Sequence, residues 1–334
     1  MLEEIITIAH EKKASDIHLS ENHFPVLRIN NNLETIEDVR FVYKAEDRNK
    51  IIDSVCPGSK GEDLRLHGSQ DISLVTNISD GTETIHSRCN IFLYNGGQLG
   101  FSIRLLSNRI PSPKELLIPG SIIDLIHQQH GLIIVSGPTG SGKSTTIASL
   151  LNLINETRSA HIVTLEDPIE YIIREKDSII HQREIKTDCS DFATGLRAAL
   201  REDPDVILVG EMRDADTIST ALAAAETGHL VFTTLHSANV IEAIDRLLQY
   251  FPPEQYSQIR GEIAQCFKGI IAQKLFKSTK GGRVAAFEVI YPSDAIKNLI
   301  RQGSHHRIYD YIHPTDGMQS MEQAIKGLST KHLI

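Results

Sequence analysis

The 334-residue chain is poor in the residues that mark several function classes. It has no tryptophan and only 5% aromatic residues, and its 34 lysines and arginines are outnumbered by 43 aspartates and glutamates. Single-strand channels favour basic and aromatic linings, so the composition weighs against a nucleic-acid translocase and no nucleic-acid partner is expected. Only four cysteines occur, Cys56, Cys89, Cys189 and Cys266, all far apart and none in a C-x-x-C pair. That spacing speaks against a zinc site and for reduced, buried thiols. No apolar run approaches the roughly 18 residues needed to cross a bilayer. The start, Met1-Leu2-Glu3-Glu4-Ile5-Ile6, lacks the basic n-region of a signal peptide. A cytoplasmic protein without a transmembrane segment is expected. Internal repeats and low-complexity segments are also missing.

Hydrophobic residues make up 40% of the chain, enough for a sizeable core, and the length suggests two domains. Leu2, Ile5, Ile6 and Ala9 fall at helical spacing, so a helix is predicted over 3–13. Strand-like alternation follows at Asp16–Ser20, Pro25–Asn30, Ile72–Val75, Glu83–Phe92 and Leu99–Leu106. Asn30-Asn31-Asn32 reads as a turn, and Asp80-Gly81 and Gly96-Gly97 as hairpin turns. The first domain, 1–108, is therefore expected to be α+β with a mostly antiparallel sheet. The stretch 109–119, with Pro111, Pro113 and Pro119, is the expected linker. From residue 120 to 334 strands alternate with helices, the pattern of an α/β domain with a parallel sheet buried on both faces. Strands are expected at Leu132–Ser136, His161–Leu165, Val206–Val209 and Leu230–Thr234. Helices are expected at Ser144–Asn155, Ser190–Arg201, Asp216–Thr227 and Ile241–Leu248. Beyond Phe251-Pro252-Pro253 a mainly helical remainder is expected.

The most specific feature is Gly137-Pro138-Thr139-Gly140-Ser141-Gly142-Lys143-Ser144. It is a complete G-x-x-x-x-G-K-[ST] loop between a buried strand and a helix beginning near Thr145. Glycines let backbone N–H groups converge on a triphosphate with no Cβ in the way. The helix turns its positive end toward the phosphates. Lys143 is placed to reach the β- and γ-phosphates and Ser144 to hold Mg²⁺. ATP and Mg²⁺ are thus the expected ligands.

Three further segments fit an ATPase. Asp205–Glu211 is an apolar strand ending in an acid, and Glu211, one residue past a glycine, is the candidate for the Mg²⁺ shell. Glu166, Asp167 and Glu170 emerge where a strand ends, the side on which parallel α/β sheets bind ligands. Glu166 is the candidate general base. His229 and His236 bracket the next strand and are candidate γ-phosphate sensors.

In this order and spacing the segments resemble the ATPases that power type II secretion and type IV pili, and within them the PilT-type retraction ATPases. Ala14-Ser15-Asp16-Ile17-His18-Leu19-Ser20, Gln182-Arg183-Glu184, Leu200–Asp205, Gly210–Asp214, Gly282–Glu288 and Ala295–Arg301 carry the likeness along nearly the whole chain. The resemblance implies a PAS-like N-terminal domain, a RecA-like ATPase domain with a helical C-terminal part, and a homohexamer. It implies a phosphate loop over Gly137–Thr145, a Walker B carboxylate at Glu211 and a histidine box at His229 and His236. It also implies nucleotide-facing arginines at Arg88 and Arg104. The implied task is retraction of a type IV pilus at the cytoplasmic face of the inner membrane, through a pilus platform protein, with membrane association only through partners. Assembly ATPases commonly carry a four-cysteine zinc loop and a long N-terminal extension, and the lack of both favours retraction. Lys297 stands where retraction ATPases normally have arginine, keeping the charge but losing the bidentate fork.

Overall fold

In the computed structural model the described residues are 2–334 apart from 31, 38, 43, 57–58, 79–82, 107–108 and 314–315. The expected Asp80-Gly81 turn lies outside them. The chain divides into two compact units, Met1–Asn108 and Arg109–Ile334.

The first unit opens with α1 (Leu2–Glu11), which buries Ile5, Ile6 and Ala9 on one face. Then come β1 (Asp16–Ser20), β2 (Val26–Ile29), β3 (Asn32–Thr35), α2 (Arg48–Val55) and α3 (Ser59–His67). The unit closes with β4 (Ser69–Ile78), β5 (Glu83–Tyr94) and β6 (Gln98–Leu105). The six strands form one sheet in the order β3-β2-β1-β6-β5-β4, with antiparallel neighbours throughout. One face carries Ile17, Leu27, Ile72, Cys89 and Ile103 into a core shared with α1. Period-2 alternation leaves the other face polar. There Arg28, Asp16, Arg104, Arg88 and Ser73 stand in one cross-strand row. β3, α2 and α3 are additional to the elements read from the sequence, because Asn32–Thr35 is wholly exposed and both helices are short.

In the second unit Ile118 is buried in the core and Ile110 and Leu116 pack against it. A short helix α4 (Gly120–Ile123) precedes β7 (Gly131–Ser136), α5 (Lys143–Thr157), β8 (His161–Glu166) and β9 (Ile179–Glu184). Next are α6 (Phe192–Ala199), β10 (Val206–Val209), α7 (Ala215–Glu226), β11 (Leu230–Leu235), α8 (Val240–Leu248) and α9 (Tyr256–Cys266). The chain ends with β12 (Phe267–Lys277), β13 (Arg283–Ile290), α10 (Asp294–Arg301) and α11 (Met321–Thr330). The seven-stranded sheet runs β13-β12-β7-β11-β10-β8-β9, and every neighbouring pair is parallel except β12 with β13.

The continuous apolar runs have a simple cause. β7 sends Leu132 and Ile134 to one face and Ile133 and Val135 to the other, and both faces are covered. Ile147, Leu150, Leu151 and Ile154 of α5 cover the second face, and α6 to α10 cover the first. The mainly helical remainder expected after Phe251 is corrected here: helices predominate only from Asp294 onward. β12 and β13 form a hairpin that extends the sheet. In the turn between them Gly281 has φ +88° and Gly282 φ +71°, left-handed conformations that glycine adopts without a steric penalty.

Candidate functional site

β7 delivers the phosphate loop to the C-terminal edge of the sheet. Gly137, Gly140 and Gly142 adopt φ of +154°, +77° and +88°. Residues with a Cβ reach those angles only with strain. Space is limiting too. A Cβ on Gly137 would lie 2.5 Å from the Gln273 carbonyl oxygen and 2.6 Å from Ser141 Oγ. Gln273, buried in β12, braces the loop from behind: its Nε2 donates to the Ser141 carbonyl at 2.8 Å and its Oε1 accepts from Thr146 Oγ1 at 2.9 Å. Pro138, Thr139 and Gly140 form the exposed outer arm. Lys143 is buried and its ammonium donates to the carbonyls of Gly137 (2.8 Å) and Pro138 (3.2 Å). Burial holds its pKa below the ordinary lysine value, against the opposing pull of Glu170 and Glu211. A desolvated ammonium beside a glycine cradle is the charge a polyphosphate would neutralise. Thr145 turns its hydroxyl to the Tyr171 phenol at 2.9 Å.

Lys143, Ser144, Glu166, Glu170, Glu211 and His236 line one cavity of about 240 Å³. Glu166 ends β8. Its Oε1 accepts from Thr164 Oγ1 at 2.7 Å and from Gln182 Nε2 at 3.2 Å. An edge of the residue reaches solvent, but the carboxyl sits among protein atoms. That desolvation pushes its pKa up to about 7, with hydrogen bonds from Thr164, Gln182 and the Glu170 backbone N–H pulling the other way.

Glu211 follows β10 after Gly210, and the glycine is required there: a Cβ would lie 2.9 Å from the Leu165 carbonyl oxygen of β8. The Glu211 carboxylate is nearly buried, at 9% exposure for the residue, and its Oε2 takes a 2.6 Å ion pair from Arg213 Nε. His236, just past β11, brings Nε2 to 3.8 Å from the same oxygen. Its pKa is lowered by burial first and by the Lys143 charge second, against the pull of Glu211, which favours a neutral imidazole at neutral pH. Ser144 and the poorly solvated Glu211 in one cavity are an oxygen donor set that suits Mg²⁺.

His229 does not join the cavity of its own chain. It precedes β11 at the opposite edge of the sheet, where its Nδ1 pairs with the Ala224 carbonyl at 3.0 Å and its own carbonyl accepts from Gly131 N. The intervening strand holds it about 20 Å from the phosphate loop of its own chain. The motif sets a histidine at each strand end, and in a parallel sheet only the C-terminal end meets the ligand.

Arg88 and Arg104 lie in the first unit as direct cross-strand neighbours on β5 and β6. Arg104 is exposed and donates through Nε to Asp16 Oδ1 at 2.9 Å. Sequence reasoning assigned no role to Thr164, Tyr171, Gln182 or Gln273. A usable signal existed for two of them: Thr164 stands between Val163 and Leu165 in β8, and Gln273 directly follows the apolar run Ile270-Ile271-Ala272 in β12.

A phosphate loop at the C-terminal edge of a parallel sheet, with acids at the ends of β8 and β10 in the same cavity, defines a nucleotide-binding P-loop ATPase on a RecA-like core. The chain belongs to the family described as type II/IV secretion system protein, whose model matches residues 119–332. It is 37% identical over 333 residues to the type IV pilus retraction ATPase PilT of Pseudomonas aeruginosa, covering 99% of this chain and 94% of that one. The crystal structure of the pilus retraction motor PilT with bound ADP superposes with a TM-score of 0.88 at 44% identity, over 100% of this chain and 94% of the other. The Legionella pneumophila ATPase DotB gives a TM-score of 0.76 at 28% identity, over 100% of this chain and 92% of that one.

Proposed function

We propose that the chain is the ATP-hydrolysing subunit of a motor that retracts type IV pili. The observation that carries this reading is the single cavity in which Lys143, Glu166 and Glu211 converge, on a fold shared along its whole length with an ADP-bound retraction motor. The loop amides of Gly137–Thr145 cradle the phosphates, and Lys143 turns from its carbonyls to the β- and γ-oxygens. Ser144 and Glu211 would hold Mg²⁺, which when bound offsets phosphate charge. Glu166, with its raised proton affinity, accepts the proton of the attacking water. His236 senses the γ-phosphate side of the cavity from beside Glu211, and Arg88 and Arg104 add positive charge that acts on the nucleotide.

The motor works as a homohexamer. Subunit motion driven by hydrolysis passes to a pilus platform protein at the cytoplasmic face of the inner membrane. Membrane association runs through that partner, and among the described residues no helix is long and apolar enough to cross a membrane. Three variants test the site. Lys143→Ala loses nucleotide affinity and turnover together. Glu166→Gln and Glu211→Gln keep binding a fluorescent ADP but lose hydrolysis by about 10² or more. Turnover of Lys143→Ala within a few-fold of wild type, or a dead Glu170→Gln beside an active Glu166→Gln, would overturn the assignments.

A further inference from the structure

Gln182 lies on β9 directly opposite Thr164 of β8, on the edge strand of the sheet. Its side-chain amide is engaged in two directions. Nε2 donates to Glu166 Oε1 at 3.2 Å and to the Tyr171 carbonyl at 2.9 Å, and Oε1 accepts from Ile173 N at 2.8 Å. The segment it grips carries Glu170 and Tyr171 along the wall of the nucleotide cavity. Tyr171 in turn reaches Thr145, the first residue after the Gly137–Ser144 motif. One amide therefore spans the proposed base, the segment beside it and, through the Tyr171 phenol, the helix that begins at the loop.

We propose that Gln182 is a positioning residue for hydrolysis: its amide, with the Thr164 hydroxyl, fixes the Glu166 carboxylate toward the cavity and clamps the 171–173 segment against the phosphate-loop helix. The inference rests on Glu166 being the base. Two side-chain donors meet on one oxygen of that carboxylate and the Glu170 backbone N–H adds a third hydrogen bond, so rotation about its side chain would have to break the pair on Oε1. Charge follows geometry: donors to a carboxylate favour its ionised form, and taking one away raises the pH at which the base becomes available.

The test is the pH dependence of kcat/KM, which reports groups of the free enzyme. Gln182→Met keeps the length of the side chain and removes both donors, and Gln182→Glu keeps the acceptor for Ile173 N and serves if the methionine variant folds poorly. Both variants are expected to lower kcat about 10- to 100-fold, as a misplaced catalytic group does, while binding fluorescent ADP within about three-fold of wild type. Both should move the acid limb of the profile to higher pH by about half a unit or more, the direction set by loss of a donor. Lower kcat with an unmoved limb would reduce Gln182 to a structural strut and overturn the proposal, as would wild-type kcat. Glu166→Gln runs alongside. If it hydrolyses normally, the base assignment itself fails, and that failure is read from a different variant than one confined to Gln182.

Discussion

At the scale of single residues, the cavity separates groups by solvation. Glu166 has its pKa pushed up to about 7 by desolvation, whereas His236 is lowered by burial and by Lys143. A base acts in its deprotonated form, so kcat/KM should rise with pH along an acid limb near 7 and level off above it. That limb should vanish in the residual activity of Glu166→Gln. A limb near the ordinary carboxylate range would place the titrating group elsewhere. Arg88→Ala and Arg104→Ala should lower kcat while leaving Tm within a few degrees, as surface polar changes do. For Arg104 the lost ion pair to Asp16 is a surface pair, whose contribution to stability is about 0–1 kcal/mol. A large fall in Tm with full activity per folded molecule would make both arginines structural. The phosphate loop was legible because its eight positions are contiguous and each carries its own reason. Glu166 and Glu211 were legible because a strand followed by an acid marks a strand end. Gln182 was not, because it reaches the site across the sheet from the edge strand β9.

At the scale of elements, helices start where the ligand edge lies. Asp191, Asp214 and Asn239 cap α6, α7 and α8, each accepting the N–H of the third residue on: Thr194 at 2.7 Å, Thr217 at 2.7 Å and Glu242 at 2.9 Å. Asp214→Ala should cost about 1 kcal/mol and lower Tm by about 2–4 °C, which thermal unfolding can measure. An unchanged Tm would mean the cap contributes nothing. Gly137→Ala should be worse for function than for folding, because the new methyl group meets the Gln273 carbonyl and displaces the cradle. Loss of fluorescent-ADP affinity with a cooperative melt is expected, and wild-type affinity would mean that the loop relaxes without consequence. Strand and helix periodicity located the parallel core. It did not separate the ends of β11, so His229 was grouped with His236. Nor did it show that Phe267–Lys277 and Arg283–Ile290 pair with each other, since long apolar runs fit a buried helix as well as a buried strand.

At the scale of the whole molecule, a head-to-tail ring closes only when every subunit is present. ATPase activity per subunit should therefore fall on dilution as the proposed hexamer dissociates, with sedimentation following the same curve. Full activity in a monomer would leave a self-contained nucleotide switch instead. The retraction claim is tested most directly by counting surface pili, by electron microscopy, in a clean deletion strain complemented with wild type or with Lys143→Ala. The account predicts excess pili and no twitching in the deletion, corrected by wild type and not by Lys143→Ala. Bald cells would contradict it, because loss of a retraction motor cannot remove the fibre.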